Sequence, residues 1–341
     1  MAEAARTALI LNANAKHVTA RKARQLAQLC EADHVYVSRS LEDAERVART
    51  VVERGYDRVL SGGGDGTLVQ VLNSICALRD AVKPGGPYPQ VGVLKLGTGN
   101  AVAAILGAEK PEDDLLKLMS EPRLPTVPLE LIHSPQDGLD FPFAGIGYDG
   151  EILNDYNWVK EHMRGPVVDD LMHSVLGYFT ALFSRTLPRK LSEKGPPKVR
   201  ITTRGKAIFR DPNAGDAMRE IPAGSVLYEG PAAMVSVGTV PFYGFNFRIF
   251  PFAQDVPGMM QLRVVATSPW TILRNLPAIW RGEYRDPEVY DFHVEDIVVE
   301  GESALPFQIA GDAKGHRDRL EFVMSRRRID LVSPRNPDEL Q

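Results

Sequence analysis

Asp57–Thr67, DRVLSGGGDGT, is the stretch whose reading decides the fold. Arg58-Val59-Leu60 reads as a buried strand that runs into three glycines, an aspartate, a fourth glycine and a threonine. An apolar-periodic helix follows, with Leu68, Val71, Leu72, Ile75 and Cys76 on one face. Consecutive glycines let the backbone turn sharply and approach a ligand closely, because no Cβ intervenes. The first-turn amides of the next helix are unpaired and its dipole favours an anion, so strand, glycines and helix N-terminus together form a phosphate cradle. Asp65 is the odd member. A carboxylate beside a polyphosphate is repelled unless a divalent cation bridges the two or it takes a proton from an attacking hydroxyl. The plainer reading is a glycine-rich turn with Asp65 as a helix cap.

A second junction of the same design, Leu96-Gly97-Thr98-Gly99-Asn100, closes a strand over Gln90–Leu96 and opens a helix. Two such turns, one βα unit apart, fall on the carboxyl edge of a single parallel sheet, where open α/β sheets bind ligands. Neither GxxxxGK[ST] nor GxGxxG is present at these strand ends.

GGGDGT followed about thirty residues later by LGTGN resembles the catalytic domain of the diacylglycerol kinase family, which includes sphingosine kinases and bacterial soluble lipid kinases. Asn12-Ala13-Asn14-Ala15 is similar to that family's NPxxG turn, and Ser40 sits where the family has a nucleotide-contacting threonine. Ala144–Asp149 resembles its G-x-G-[FY]-D segment, and Pro251-Phe252-Ala253 its P-x-A. The resemblance implies ATP and Mg²⁺ as cofactors and a lipid hydroxyl, of diacylglycerol or a sphingoid base, as acceptor. It implies nucleotide contacts at Asn12, Ser40, Gly62, Gly63, Gly64, Gly66, Thr67, Gly97, Thr98 and Asn100. Catalytic and metal roles fall on Asp65 and Asp312, and acceptor binding or the metal-water shell on Asp149, for which a β-turn Asp-Gly is the alternative.

This sequence departs from the family pattern at two places. Ala101 follows Asn100, as in the sphingosine kinase branch, where many bacterial members carry an aspartate. The late D-G-E element reads Ala310-Gly311-Asp312, so its first acid is missing, and the Asp-Gly after P-x-A reads Pro257-Gly258. Two rival functions therefore stand beside the lipid kinase: a kinase of a soluble acceptor such as NAD, and a nucleotide- or lipid-binding protein impaired in catalysis.

The periodicity gives β, α, β, α, β, α, β, α in the first third: strands over Thr7–Leu11 and His34–Val37, helices over Ala20–Cys30 and Leu41–Arg54, then the two motif units. Pro111–Leu118 reads as a further helix. The expected fold is an N-terminal doubly wound parallel α/β domain over 1–128, followed by an antiparallel β-rich domain over 129–325. In the second domain strands are expected at Phe141–Ala144, Val199–Thr203, Ala233–Val237, Phe247–Phe250, Met260–Val265, Phe292–Val299 and Leu320–Val323. The tail, 326–341, is expected to pack back on the first domain. An amphipathic helix near 168–187 interrupts the strands, carrying Leu171, Met172, Val175, Leu176, Phe179, Leu182 and Phe183 at helical spacing.

Directly after that helix, Arg185–Arg210 carries nine basic residues against one acid, Glu193. Such a segment can rest on an anionic membrane, or alternate toward solvent if it folds as strands. The net charge of −4 gives no global basic field for nucleic acid. Cys30 and Cys76 both lie on apolar helical faces, as core residues of a reducing compartment do. No apolar run approaches the ~20 residues that span a bilayer. The expected location is the cytoplasm, with peripheral membrane contact through the basic segment, and self-association as a homodimer is left open.

Overall fold

The computed structural model describes residues 5–121, 123–147 and 195–336. Asp149, the helix near 168–187 and the first part of the basic segment, 185–194, lie outside the described residues. The chain divides into two compact units, Met1–Glu130 with Arg327–Gln341, and Leu131–Arg326.

In the first unit, β1 (Thr7–Asn12), β2 (Val35–Ser38), β3 (Arg58–Gly63) and β4 (Gln90–Lys95) form a parallel sheet in the order 2-1-3-4. The strand β3 is longer than its apolar triplet because Ser61, Gly62 and Gly63 continue the ladder opposite Ile10 and Leu11 of β1 and Val93, Leu94 and Lys95 of β4. Alternation sorts β1 to two cores. Ala8 and Ile10 meet Val47, Ala48 and Val51 of α2 (Leu41–Arg54) and Val71 and Ile75 of α3 (Asp65–Val82). Leu9 and Leu11 meet Leu26 of α1 (Ala20–Ala27) and Leu115 and Leu118 of α5 (Pro111–Ser120); the short α4 (Ala101–Ile105) follows β4. This is the doubly wound layering that alternating βα periodicity requires.

Three charged contacts tie the ends of this unit. Arg58, 1% exposed, donates from Nη1 to Leu118 O and Glu121 O at the carboxyl end of α5, where the helix dipole favours a cation. Arg327 reaches Asp80 (Nη2–Oδ2, 2.7 Å), and Arg335 reaches the fully buried Asp114 (2.9 Å). The final strand segment also enters the sheet, with Leu331 in parallel register beside Val91 of β4.

The second unit is β-rich and antiparallel. The strands β5 (Thr126–Ser134), β6 (Leu139–Phe141) and β7 (Phe143–Gly147) are separated at a turn and at Pro142, whose missing N–H interrupts the expected single strand over 141–144. Next come β8 (Lys198–Thr203), β9 (Ala207–Asp211), β10 (Ala217–Ile221), β11 (Val226–Pro231), β12 (Met234–Gly238) and β13 (Met260–Val265). The expected strand over 292–299 is two, β14 (Val289–Val294) and β15 (Asp296–Ile309), broken at Glu295. β16 (Asp312–Val332) completes the set. Phe247–Phe250 is not a strand: it lies in a non-repetitive segment whose Ile249 and Phe250 are buried as plugs on the sheet.

β15 is long enough to serve two neighbours. Its first half pairs with β8 (Val299↔Ile201) and its second with β7 (Gln308↔Gly145), with register shifts between Glu300 and Leu305. Across the strands a polar row lies in register: Gln308, Gly145, Ser236, Arg263, Asp291 and Arg210. Burial of these groups requires partners. Arg263 and Asp291 form a two-point ion pair (2.8 and 2.8 Å), Gln261 donates to Asp291 (2.6 Å), and Arg210 pairs with Asp255 (2.6 Å).

β15 turns into β16 through Ala310 (φ 48°) and Gly311 (φ 85°), both left-handed, as a two-residue hairpin demands. Gly311 N is held by Gln308 Oε1 (2.8 Å), but Ala310 carries a Cβ where an L-residue is strained by about 1–2 kcal/mol. Ala310→Gly is expected to raise the unfolding free energy by about 1 kcal/mol, read as a higher denaturant midpoint at unchanged slope.

Candidate active site

The order 2-1-3-4 places a topological switch between β1 and β3, since the chain leaves β1 toward β2 on one side and β3 lies on the other. In open α/β sheets the crevice outside such a point, at the strands' carboxyl ends, is the ligand site. Asn12 ends β1 and the glycine run ends β3, so both sequence motifs open here.

The turn after β1 is tied down on both sides. Asn12 Oδ1 accepts from Asn14 N (2.9 Å), and Asn12 Nδ2 donates to Thr67 Oγ1 in the first turn of α3 (2.9 Å). Gly63 allows that approach, because a Cβ there would stand 2.4 Å from Thr67 Oγ1. Ala13 N donates to Ser38 O, and Asn14 Nδ2 to Arg39 O, fastening the turn to the end of β2. Ser40, expected to contact nucleotide, is the N-cap of α2, with its Oγ accepting from Asp43 N (3.1 Å).

The two glycine turns touch. A Cβ on Gly97 would come 2.2 Å from Gly64 Cα, so only glycine permits the separation observed. Asn100, left-handed at φ 55°, closes the second turn on itself: its Oδ1 accepts from Gly97 N (2.9 Å) and its Nδ2 donates to Gly97 O (2.8 Å). The amides of Gly66 and Thr67 lie in the first turn of α3, where no intrahelical acceptor exists. Thr98 is half-buried at the tip of the second turn.

Asp65 joins the two turns. Its Oδ2 accepts from Ala101 N and its Oδ1 from Val102 N, each at 3.0 Å, so the first residue of α3 caps the N-terminus of α4. Burial pushes its carboxyl above the usual range, while the amides of Ala101 and Val102 pull it back. The sequence had suggested a cap, but not for a helix thirty-six residues away. Direct Mg²⁺ ligation by Asp65 does not fit this geometry. A cation at the ~2.1 Å that Mg²⁺ requires would sit against the positive end of α4, whose amides the carboxylate already caps. Among the described residues no group of three or more His, Cys, Asp or Glu side chains is placed to hold a metal. Asp312 lies exposed at the β15–β16 turn of the second unit.

One feature of this edge carried no sequence motif. His17 follows the β1 turn and donates its backbone N–H to Leu96 O (3.2 Å), which brings Lys16 and His17 beside the second glycine turn. Partial desolvation, with Lys16 and Lys22 nearby, holds the imidazole below its ordinary range. The adjacent pair Lys16-His17 was the available signal.

Residues 6–129 match the model of the diacylglycerol kinase catalytic domain. A stretch of 114 residues is 29% identical to the probable lipid kinase YegS of Salmonella dublin, covering 33% of this chain and 36% of that protein. The YegS protein of Salmonella arizonae is 36% identical over 85 residues, 25% of this chain and 27% of its own. These matches span about a third of the curated relatives' length. A crystal structure of a diacylglycerol kinase from Bacillus anthracis superposes with a TM-score of 0.61 at 16% identity, covering 98% of this chain and 97% of that one. A second structure from that organism reaches 0.67 at 17% identity, covering 98% of both chains. The resemblance to the diacylglycerol kinase family thus holds, strongest in the first unit, and both units share the fold of these structures.

The Gly64–Gly97 contact makes a direct prediction. Gly97→Ala is expected to lower the unfolding free energy by about 1–3 kcal/mol through overpacking, whereas Thr98→Ala should stay within about 0.5 kcal/mol. Urea denaturation of the two variants separates these outcomes.

Proposed function

We propose that this protein is an ATP-dependent lipid kinase, transferring the γ-phosphoryl group to a hydroxyl of a lipid of the diacylglycerol or sphingoid-base class. The observation that carries the reading is the pair of glycine turns, in contact at the switch point of a parallel sheet, with helix N-termini behind both. Together they offer free amides and positive dipole ends to a polyphosphate. Gly62, Gly63, Gly64, Gly66, Gly97 and Thr98 would line the phosphates, while Asn12, Thr67 and Asn100 hold the turns in shape. Lys16 adds positive charge on the same edge, and beside it His17 is held toward its neutral form.

Asp65 is the proposed base. The two amide bonds use one lone pair on each oxygen, and the remaining pairs can accept a hydroxyl proton. Raised proton affinity suits that role, since a base works best near the operating pH. Fixed by Ala101 and Val102, the carboxylate would orient the attacking oxygen while the amides balance the charge of the transferred group. Mg²⁺ is assigned no protein cage here; in this reading it would arrive with the triphosphate.

The basic segment supports membrane contact less directly than its composition implied. Within its described part, Lys198 and Arg200 alternate outward from β8, Arg204 pairs with Asp296 and Glu321, and Arg210 is buried against Asp255. No helix among the described residues is long and apolar enough to cross a membrane.

The test is phosphate transfer from ATP to diacylglycerol and sphingosine in mixed micelles, with NAD as a soluble control. Labelled lipid is expected, with kcat reduced about 10²–10⁴-fold in Asp65→Asn at a melting temperature that shows the variant folded. NAD labelled in place of lipid would establish the soluble-acceptor kinase. ATP binding with no labelled product would establish the impaired binding protein to which Ala310 points.

A further inference from the structure

The second unit carries an apolar helical hairpin that it covers only in part. α6 (Pro269–Arg274) and α7 (Leu276–Trp280) lie between β13 and β14 in the run SPWTILRNLPAIWRG. Eight of its fifteen residues, Ser268–Gly282, are tryptophan, isoleucine, leucine, proline or alanine within 270–280, yet no described side chain from Trp270 to Arg281 is buried. Trp270 is 60% exposed.

The hairpin is fixed in place. Trp280 stacks on Phe247 with centroids 5.0 Å apart, and its carbonyl accepts from Arg248 N (3.0 Å). Ser268 Oγ accepts from Thr271 N (3.2 Å), and Asn275 Nδ2 donates to Thr271 O (2.9 Å). One end is therefore anchored by an aromatic stack, while the other holds a tryptophan out in solvent. A single exposed tryptophan needs no explanation, but an apolar element with no buried side chain among its described residues marks a contact surface.

Charge and composition choose the partner. The run Ser268–Gly282 contains no acid; of its two arginines, Arg281 pairs with Glu283 just beyond the run (2.8 Å), and Arg274 is exposed. Tryptophan with arginine, on helices of five and six residues, suits the headgroup layer of a bilayer and cannot reach across it.

We infer that residues 268–282 form a docking surface for an anionic lipid bilayer, with Trp270 inserted at the headgroup boundary and Arg274 on the lipid phosphates. The surface explains how an enzyme with a lipid acceptor would find it, and its purpose rests on the proposed function; its binding does not require catalysis.

The experiment is co-sedimentation of the full chain with vesicles of phosphatidylcholine alone or with phosphatidylserine, without ATP, for wild type, Trp270→Ser and Trp270→Ser/Arg274→Gln. Wild type is expected to bind the anionic vesicles. Trp270→Ser should weaken that binding about tenfold, and Arg274→Gln about fivefold more. Melting temperature and ATP turnover on a water-soluble short-chain acceptor should be unchanged in both variants. Binding that is absent in wild type, or equal in all three proteins, overturns the inference and leaves the hairpin to a protein partner. Vesicle binding without any lipid kinase activity would instead remove the proposed function and leave this surface standing.

Discussion

The carboxylate of Asp65 on the amides of Ala101 and Val102 is the constraint around which the first unit's functional edge is arranged. Two glycine turns brought into contact would otherwise face each other with helix dipoles of the same sign, α3 and α4 both presenting N-termini. A buried negative charge between them satisfies orphan donors and offsets that repulsion. Gly64 and Gly97 then close to a separation that no Cβ would allow. In the proposed function, the residue that holds the two turns together is also the base.

The second unit solves a different problem. Its sheet carries a row of polar and charged side chains into the interior, and each charge is met by a partner in the next strand or in the segment that covers it. Such pairs add little net stability beyond an apolar equivalent, because desolvation cancels much of the attraction. They do fix register: a one-residue slip of β14 would put Tyr290 or Phe292 opposite Arg263, where Asp291 now meets it. His293, 1% exposed and facing Arg210, is kept below its ordinary range by burial first and that guanidinium second.

The departures from the family pattern acquire a physical setting. Ala101 in place of an acid is compatible with the fold because its backbone N–H, rather than its side chain, is what the site uses. Ala310 occupies the first left-handed position of a tight hairpin, where an acidic residue would be conformationally easier than alanine. The missing acid is thus a change in chemistry made against a backbone preference, while Asp312 still heads β16.

Periodicity and punctuation determined a great deal from the sequence alone. The βα alternation, the exact span of α2, the strands Met260–Val265 and Lys198–Thr203 to within a residue, and the two glycine turns were legible because their signals are local. Breaks at Pro142 and Glu295 and the loop at Phe247–Phe250 were not, since continuous apolar runs read alike whether they form strands or plug a core. Only the tertiary structure decided that Asn12 would meet Thr67, that Gly97 would rest on Gly64, and that Asp65 would cap a helix beyond the next strand. Those contacts are made by strand order, and strand order is set by which faces bury against which helices, a choice that no local window of residues contains.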